Sequence, residues 1–135
     1  MAALITSMKM AHDRDPAEVI REKVGDLSAY EPFHNLVLIG IYERPEKTKG
    51  GIIVTETAKK EDIYQGVIGL VLKVGPGAFK DDEHNKFHGL SVAPGDWVIY
   101  RASDAAQTIS LNGKICRVLE DAQIKGRVAH PDIVF

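Results

Sequence analysis

The chain has a single cysteine, Cys116, so no internal disulfide can form and a cysteine-built structural zinc site is excluded in practice. It has no excess of positive charge: 17 Lys and Arg stand against 19 Asp and Glu, a net charge of −2. Nucleic-acid binders usually carry a basic footprint, and none is present. No apolar run approaches membrane-spanning length, so no membrane partner is expected. The first residues have no basic start ahead of their apolar part, which argues against a secretory signal. There is no internal repeat and no low-complexity segment. What remains, 135 residues of which 44% are hydrophobic, is enough for one domain with a core and too little for two.

One short stretch stands out within a polar connection spanning residues 44–65. Lys49-Gly50-Gly51-Ile52-Ile53-Val54-Thr55 places three adjacent aliphatic side chains between charged flanks. Glu46, Lys47 and Lys49 precede it; Lys59, Lys60, Glu61 and Asp62 follow. Connections of this length without secondary structure are uncommon in compact domains and are often functional. Two readings are open at this stage: bait for a partner, or an ordinary strand preceded by a glycine turn.

Local signals divide the remainder. Asp15-Pro16-Ala17-Glu18 supplies an N-cap, a proline at the first helical position and an acid in the first turn. A helix is predicted over 16–24, ended by Gly25, with Pro16, Ile20 and Val24 on one face. Nine residues are too few to be stable alone in water, so it must dock on its own domain, on a neighbouring subunit or on a partner. Strands are predicted over 33–42 and 66–74, with Gly66 and Gly69 marking a bulge or a close backbone approach. Residues 79–88 read as a charged protruding loop or hairpin, and Pro94-Gly95-Asp96 as a turn into the strand Trp97-Val98-Ile99-Tyr100. Asn112-Gly113 is a type I′ hairpin signal that lets Ile109, Leu111, Cys116 and Val118 face one core. The expected class is all-β, a small barrel or sandwich.

Five of these segments, in this order, resemble the GroES family of co-chaperonins. Pro32-Phe33-His34-Asn35-Leu36-Val37-Leu38-Ile39 is similar to that family's opening strand, and Lys47-Thr48-Lys49-Gly50-Gly51-Ile52-Ile53-Val54 to its mobile loop. Gly69-Leu70-Val71-Leu72-Lys73-Val74-Gly75-Pro76-Gly77 resembles a Gly-Glu-Val-x-Ala-Val-Gly-x-Gly strand and turn. Ala93-Pro94-Gly95-Asp96-Trp97-Val98-Ile99-Tyr100 resembles Val-Gly-Asp-x-Val-x-Phe, and the Asn112-Gly113 hairpin with Leu119 to Ile124 resembles the C-terminal part. The resemblance implies a partly open β-barrel over 32–128, preceded by an extension (1–31) and followed by a tail (129–135). It implies a cytoplasmic co-chaperonin with no catalysis and no cofactor. Such a protein forms a homo-oligomeric ring, usually of seven, that caps a GroEL-type chaperonin in an ATP-dependent way. Gly50, Gly51, Ile52, Ile53 and Val54 would bind the chaperonin; Phe33, Leu36, Ile124 and Val128 are the candidates for the subunit interface.

The departures from the family pattern are specific. The extension has no ordinary counterpart, the usual Gly-Tyr-Gly is replaced by Arg101-Ala102-Ser103-Asp104, and the aliphatic last strand by Ile124-Lys125-Gly126-Arg127-Val128. They would suit a phage-encoded relative. The alternative function is accordingly a structural module on the same fold, with virion subunits as partners. An enzyme is the weaker rival: His84 and His88 lie four apart in a charged loop, and Cys116 has no paired base.

Overall fold

The structure is a computed structural model, and it describes residues 14–44, 53, 55, 57, 67–83, 86–104 and 107–134. Helix α1 runs over Pro16–Val24. Asp15 caps it by accepting from the Ala17 amide, and Gly25 ends it at a φ of 64°. These bounds coincide with the sequence expectation because both ends are set by local chemistry. The helix docks on its own domain: Pro16, Ala17, Ile20 and Val24 are buried. Ile20 and Val24 together offer about 3–6 kcal/mol of apolar burial, enough to hold a helix that could not persist in isolation.

Six strands follow among the described residues: β1 (Leu36–Ile41), β2 (Ile68–Val74), β3 (Trp97–Tyr100), β4 (Gln107–Leu111), β5 (Lys114–Glu120) and β6 (Ile124–Val128). They form one antiparallel sheet in the order β4-β5-β1-β2-β3-β6, not closed into a barrel among the described residues. The β4–β5 hairpin turns through Asn112 (φ 52°) and Gly113 (φ 84°), the two left-handed positions that a type I′ turn requires.

Both faces of the sheet are covered. Alternation along the strands sends Leu38, Leu70, Leu72, Trp97, Cys116 and Val118 to the face under α1, where Ile109 and Leu111 also pack. Val37, Ile39, Val71, Val98, Tyr100 and Leu119 face the other way, against Ala78, Phe79 and Val92 from the connection between β2 and β3. Central β1 is buried on both sides, and its run of aliphatics follows from that. Gly69 meets its neighbour closely: a Cβ there would stand 2.9 Å from the Gly40 carbonyl oxygen. The register shifts lie elsewhere, between Leu38 and Ile39 in the β1–β2 pair and between Ile99 and Tyr100 in the β3–β6 pair. Gly40 is the seat of the helix, since a Cβ at this position would come within 2.6 Å of Ile20 Cγ2.

One sequence expectation needs correction. The opening strand begins at Leu36, three residues later than expected, because His34 takes a φ of 55° and its carbonyl accepts from Gly77 at 2.8 Å. His34 is thus an exposed turn residue and no part of the strand. Among the described residues, the charged segment 79–88 contains no strand; Phe79 and Phe87 meet edge to face across its base, with ring centroids 5.5 Å apart.

Candidate functional site

The long connection leaves the sheet beside β1 and returns at β2. Its root is closed by the Tyr42 amide donating to the Ile68 carbonyl at 3.2 Å. The Tyr100 amide donates to the Val67 carbonyl at 2.9 Å, and the Tyr42 ring meets Trp97 edge to face at 5.7 Å. Edge-to-face pairs of this kind add roughly 0.5–1.5 kcal/mol beyond area burial. The loop therefore grows from rigid, aromatic-buttressed sheet.

Beyond Tyr42 stands Glu43, whose carboxylate is 2.9 Å from the Lys114 ammonium and 3.9 Å from that of Lys23. Lys114 is only 5% exposed, an unusual position for a lysine that its ion pair accounts for. Sequence reading passed over Lys114, although it shares a face of β5 with Cys116 and Val118, because a lysine next to a hairpin turn looks like the solvated end of a strand.

Of the residues expected at the loop tip, Ile53 is described and is 70% exposed. Gly50, Gly51, Ile52 and Val54 lie outside the described residues. The interface candidates are spread over the domain. Phe33 is 61% exposed, whereas Leu36, Ile124 and Val128 are half-buried against their own cores. Strand β6 pairs with β3 along one edge only, and among the described residues its other edge has no strand partner. Arg127 on that strand reaches back to the Ser91 carbonyl at 3.1 Å and to Asp96 at 3.4 Å.

Asp121, also missed by sequence reading, is a buried hub: it accepts from the Phe79 amide at 2.9 Å, the Ala122 amide at 2.7 Å and the Asn35 side chain at 3.2 Å. It ties the start of β1, the end of β5 and the connection after β2. The only sequence signal was the reciprocal Glu120–Gln123 cap around it, which marks a helical turn and says nothing of burial.

Nucleophile chemistry finds no support at Cys116. Burial pushes its thiol up to about 11, the nearby Lys114 charge offsetting only part of this, so the thiolate is disfavoured at neutral pH. Among the described residues no group of three or more His, Cys, Asp and Glu could hold a metal ion, and no helix is long and apolar enough to cross a membrane. His84 of the histidine pair lies outside the described residues.

An open antiparallel sheet, a short capped helix and a long loop bearing an exposed aliphatic define a β-domain built to present a loop. The sequence profile of the chaperonin 10 kDa subunit family matches residues 29–128. A co-chaperonin GroES of Methylobacterium radiotolerans is 34% identical over 100 residues, which cover 74% of this chain and 97% of that protein. A Rhizobium meliloti GroES is 33% identical over 97 residues, or 72% of this chain and 92% of that one. A chloroplastic 20 kDa chaperonin of Arabidopsis thaliana is 39% identical over 75 residues, which cover 56% of this chain and 27% of that protein. The chain belongs to the chaperonin 10 kDa subunit family. It is a GroES-type co-chaperonin, and its relatives' names do not favour the virion alternative.

Proposed function

We propose that this co-chaperonin caps a GroEL-type chaperonin ring through Gly50, Gly51, Ile52, Ile53 and Val54 of its long loop. The observation that carries the reading is Ile53, a large aliphatic side chain 70% exposed on a loop rooted in hydrogen-bonded sheet. Burying one such side chain is worth about 1.5–3 kcal/mol, and three give on the order of 4–9 kcal/mol per loop. Ordering the loop backbone costs about 1–2 kcal/mol per residue, which new hydrogen bonds offset only in part. A single loop therefore binds weakly. A ring presenting several loops gains affinity by multivalency, and weak individual contacts let go when the chaperonin changes conformation.

In this reading residues 32–128 form the working domain, with an extension (1–31) before it and a tail (129–135) after it. The ring has seven subunits, the family's usual number. Phe33, Leu36, Ile124 and Val128 lie at or near the subunit contact; the exposed Phe33 ring and the outer edge of β6, which has no strand partner among the described residues, support that placement. The chaperonin supplies the ATP hydrolysis, this chain performs no catalysis, and both work in the cytoplasm.

The test is ATP-dependent association of the purified protein with a chaperonin from its native host, beside an Ile53→Asp variant of verified fold and oligomer size. Binding that the substitution abolishes supports the capping mechanism. Intact oligomers that do not bind, with or without the substitution, would remove it.

A further inference from the structure

Three segments remote in sequence meet where the long loop leaves the sheet. Glu43 is the next residue after Tyr42, whose amide makes the closing bond at the loop root. On one side Lys114 of β5, nearly buried, holds the Glu43 carboxylate at 2.9 Å. On the other, Lys23 in the last turn of α1 lies 3.9 Å from the same oxygen. The next helix residue, Val24, offers its carbonyl to the Asn112 side-chain amide, in the turn two residues before Lys114. The helix C-terminus, the hairpin turn and the loop root thus form one polar knot. A lysine ammonium this buried is costly unless paired, so Lys114 holds the chain at residue 43 and does not decorate it. The helix arm of the knot falls outside residues 29–128, the part matched by the family.

We propose that Lys114 of β5, with Lys23 of helix α1 as a weaker second contact, acts on Glu43 as a positioning residue that sets the direction in which the loop leaves the sheet for chaperonin engagement. The inference rests on reading the loop as the chaperonin-binding element. A loop held at its root samples fewer exit directions, so less conformational freedom is lost on binding. Releasing Glu43 frays the root and weakens every loop of an oligomer alike.

The experiment uses the full chain with Lys114→Met, Glu43→Gln and Lys23→Ala. Amide hydrogen exchange is read at Tyr42 and, as a control, at Val71, whose amide donates to the Asp96 carbonyl at 2.9 Å. In Lys114→Met the Tyr42 amide should exchange about tenfold faster, a change of about 1.4 kcal/mol, with Val71 unchanged. Chaperonin association should weaken by about tenfold or more in the same variant, since several loops are affected at once. Glu43→Gln should follow in the same direction at about threefold, and Lys23→Ala at under twofold, as an exposed pair allows. These two keep the test open should Lys114→Met not fold. Acceleration at Tyr42 and Val71 together would mean general destabilisation and would overturn the proposal, as would unchanged exchange at Tyr42. A wild-type protein with the stated exchange pattern but no affinity for chaperonin would overturn the loop reading, and the positioning role with it, while the tie itself stood.

Discussion

Two sets of aliphatic side chains in this molecule meet opposite fates. Ile20 and Val24 are buried, at 4% and 1% exposure, whereas Ile53 is 70% exposed. Hydrophobicity does not separate them, since isoleucine occurs in both. The helical pair is spaced to share one face, the helix carrying it is capped at both ends, and Gly40 leaves room in the sheet for Ile20. The loop residue has charged neighbours and no periodic pattern that would seat it on a face of its own domain. An apolar side chain is buried within the chain only when local structure delivers it to a matching surface. Where it is not, it is available to a second molecule.

That contrast can be broken by exchanging the fates of its two members. The largest effect is expected from Ile53→Asp, which should reduce chaperonin association by about two orders of magnitude or more through multivalency. It should leave thermal stability within about 0.5 kcal/mol, as a surface change does. Ile20→Ala should do the reverse, costing about 2–5 kcal/mol in denaturant unfolding. It should also speed labelling of Cys116 by a thiol reagent at pH 8, because Cys116 lies on the face that α1 covers. In the wild type that thiol stays protonated and sheltered until pH approaches about 11. Equal labelling rates in both proteins would mean that the helix does not seal that face.

Smaller changes sharpen the comparison. Gly40→Ala puts a methyl 2.6 Å from Ile20 Cγ2 and should cost about 1–3 kcal/mol. Combined with Ile20→Ala it should cost less than the sum of the two, a coupling that a double-mutant cycle reads directly. Strict additivity would place the helix elsewhere. Asp15→Ala removes the side chain that accepts from the Ala17 amide and should cost about 1 kcal/mol, visible as faster amide exchange in the first turn of α1.

Legibility in the sequence followed the range of the interactions involved. The N-cap at Asp15, the stop at Gly25 and the Asn112-Gly113 turn rest on chemistry within a few residues, and all three stand where sequence reading put them. The candidate loop stood out in the sequence because two glycines and three aliphatics inside a charged connection break the local pattern; of these five residues only Ile53 is among the described ones. His34 was misread because its left-handed turn answers to Gly77, a partner 43 positions along the chain that no local pattern announces. Lys114 and Asp121 escaped notice for the same reason: a lysine near a hairpin turn and an aspartate after a strand look solvated until distant groups close over them.

The amino-acid order by itself therefore determined the helix and its ends, the hairpin, the alternation that fills the sheet's two faces and the family to which the chain belongs. Only the tertiary structure decided that α1 docks on its own sheet over Gly40, that Asp121 fastens three segments together and that Glu43 is gripped by Lys114 from 71 positions away. The first group depends on backbone propensities and period, which neighbouring residues express without help. The second depends on excluding water from groups brought together by the fold, and that exclusion exists only once the sheet and helix have closed on each other.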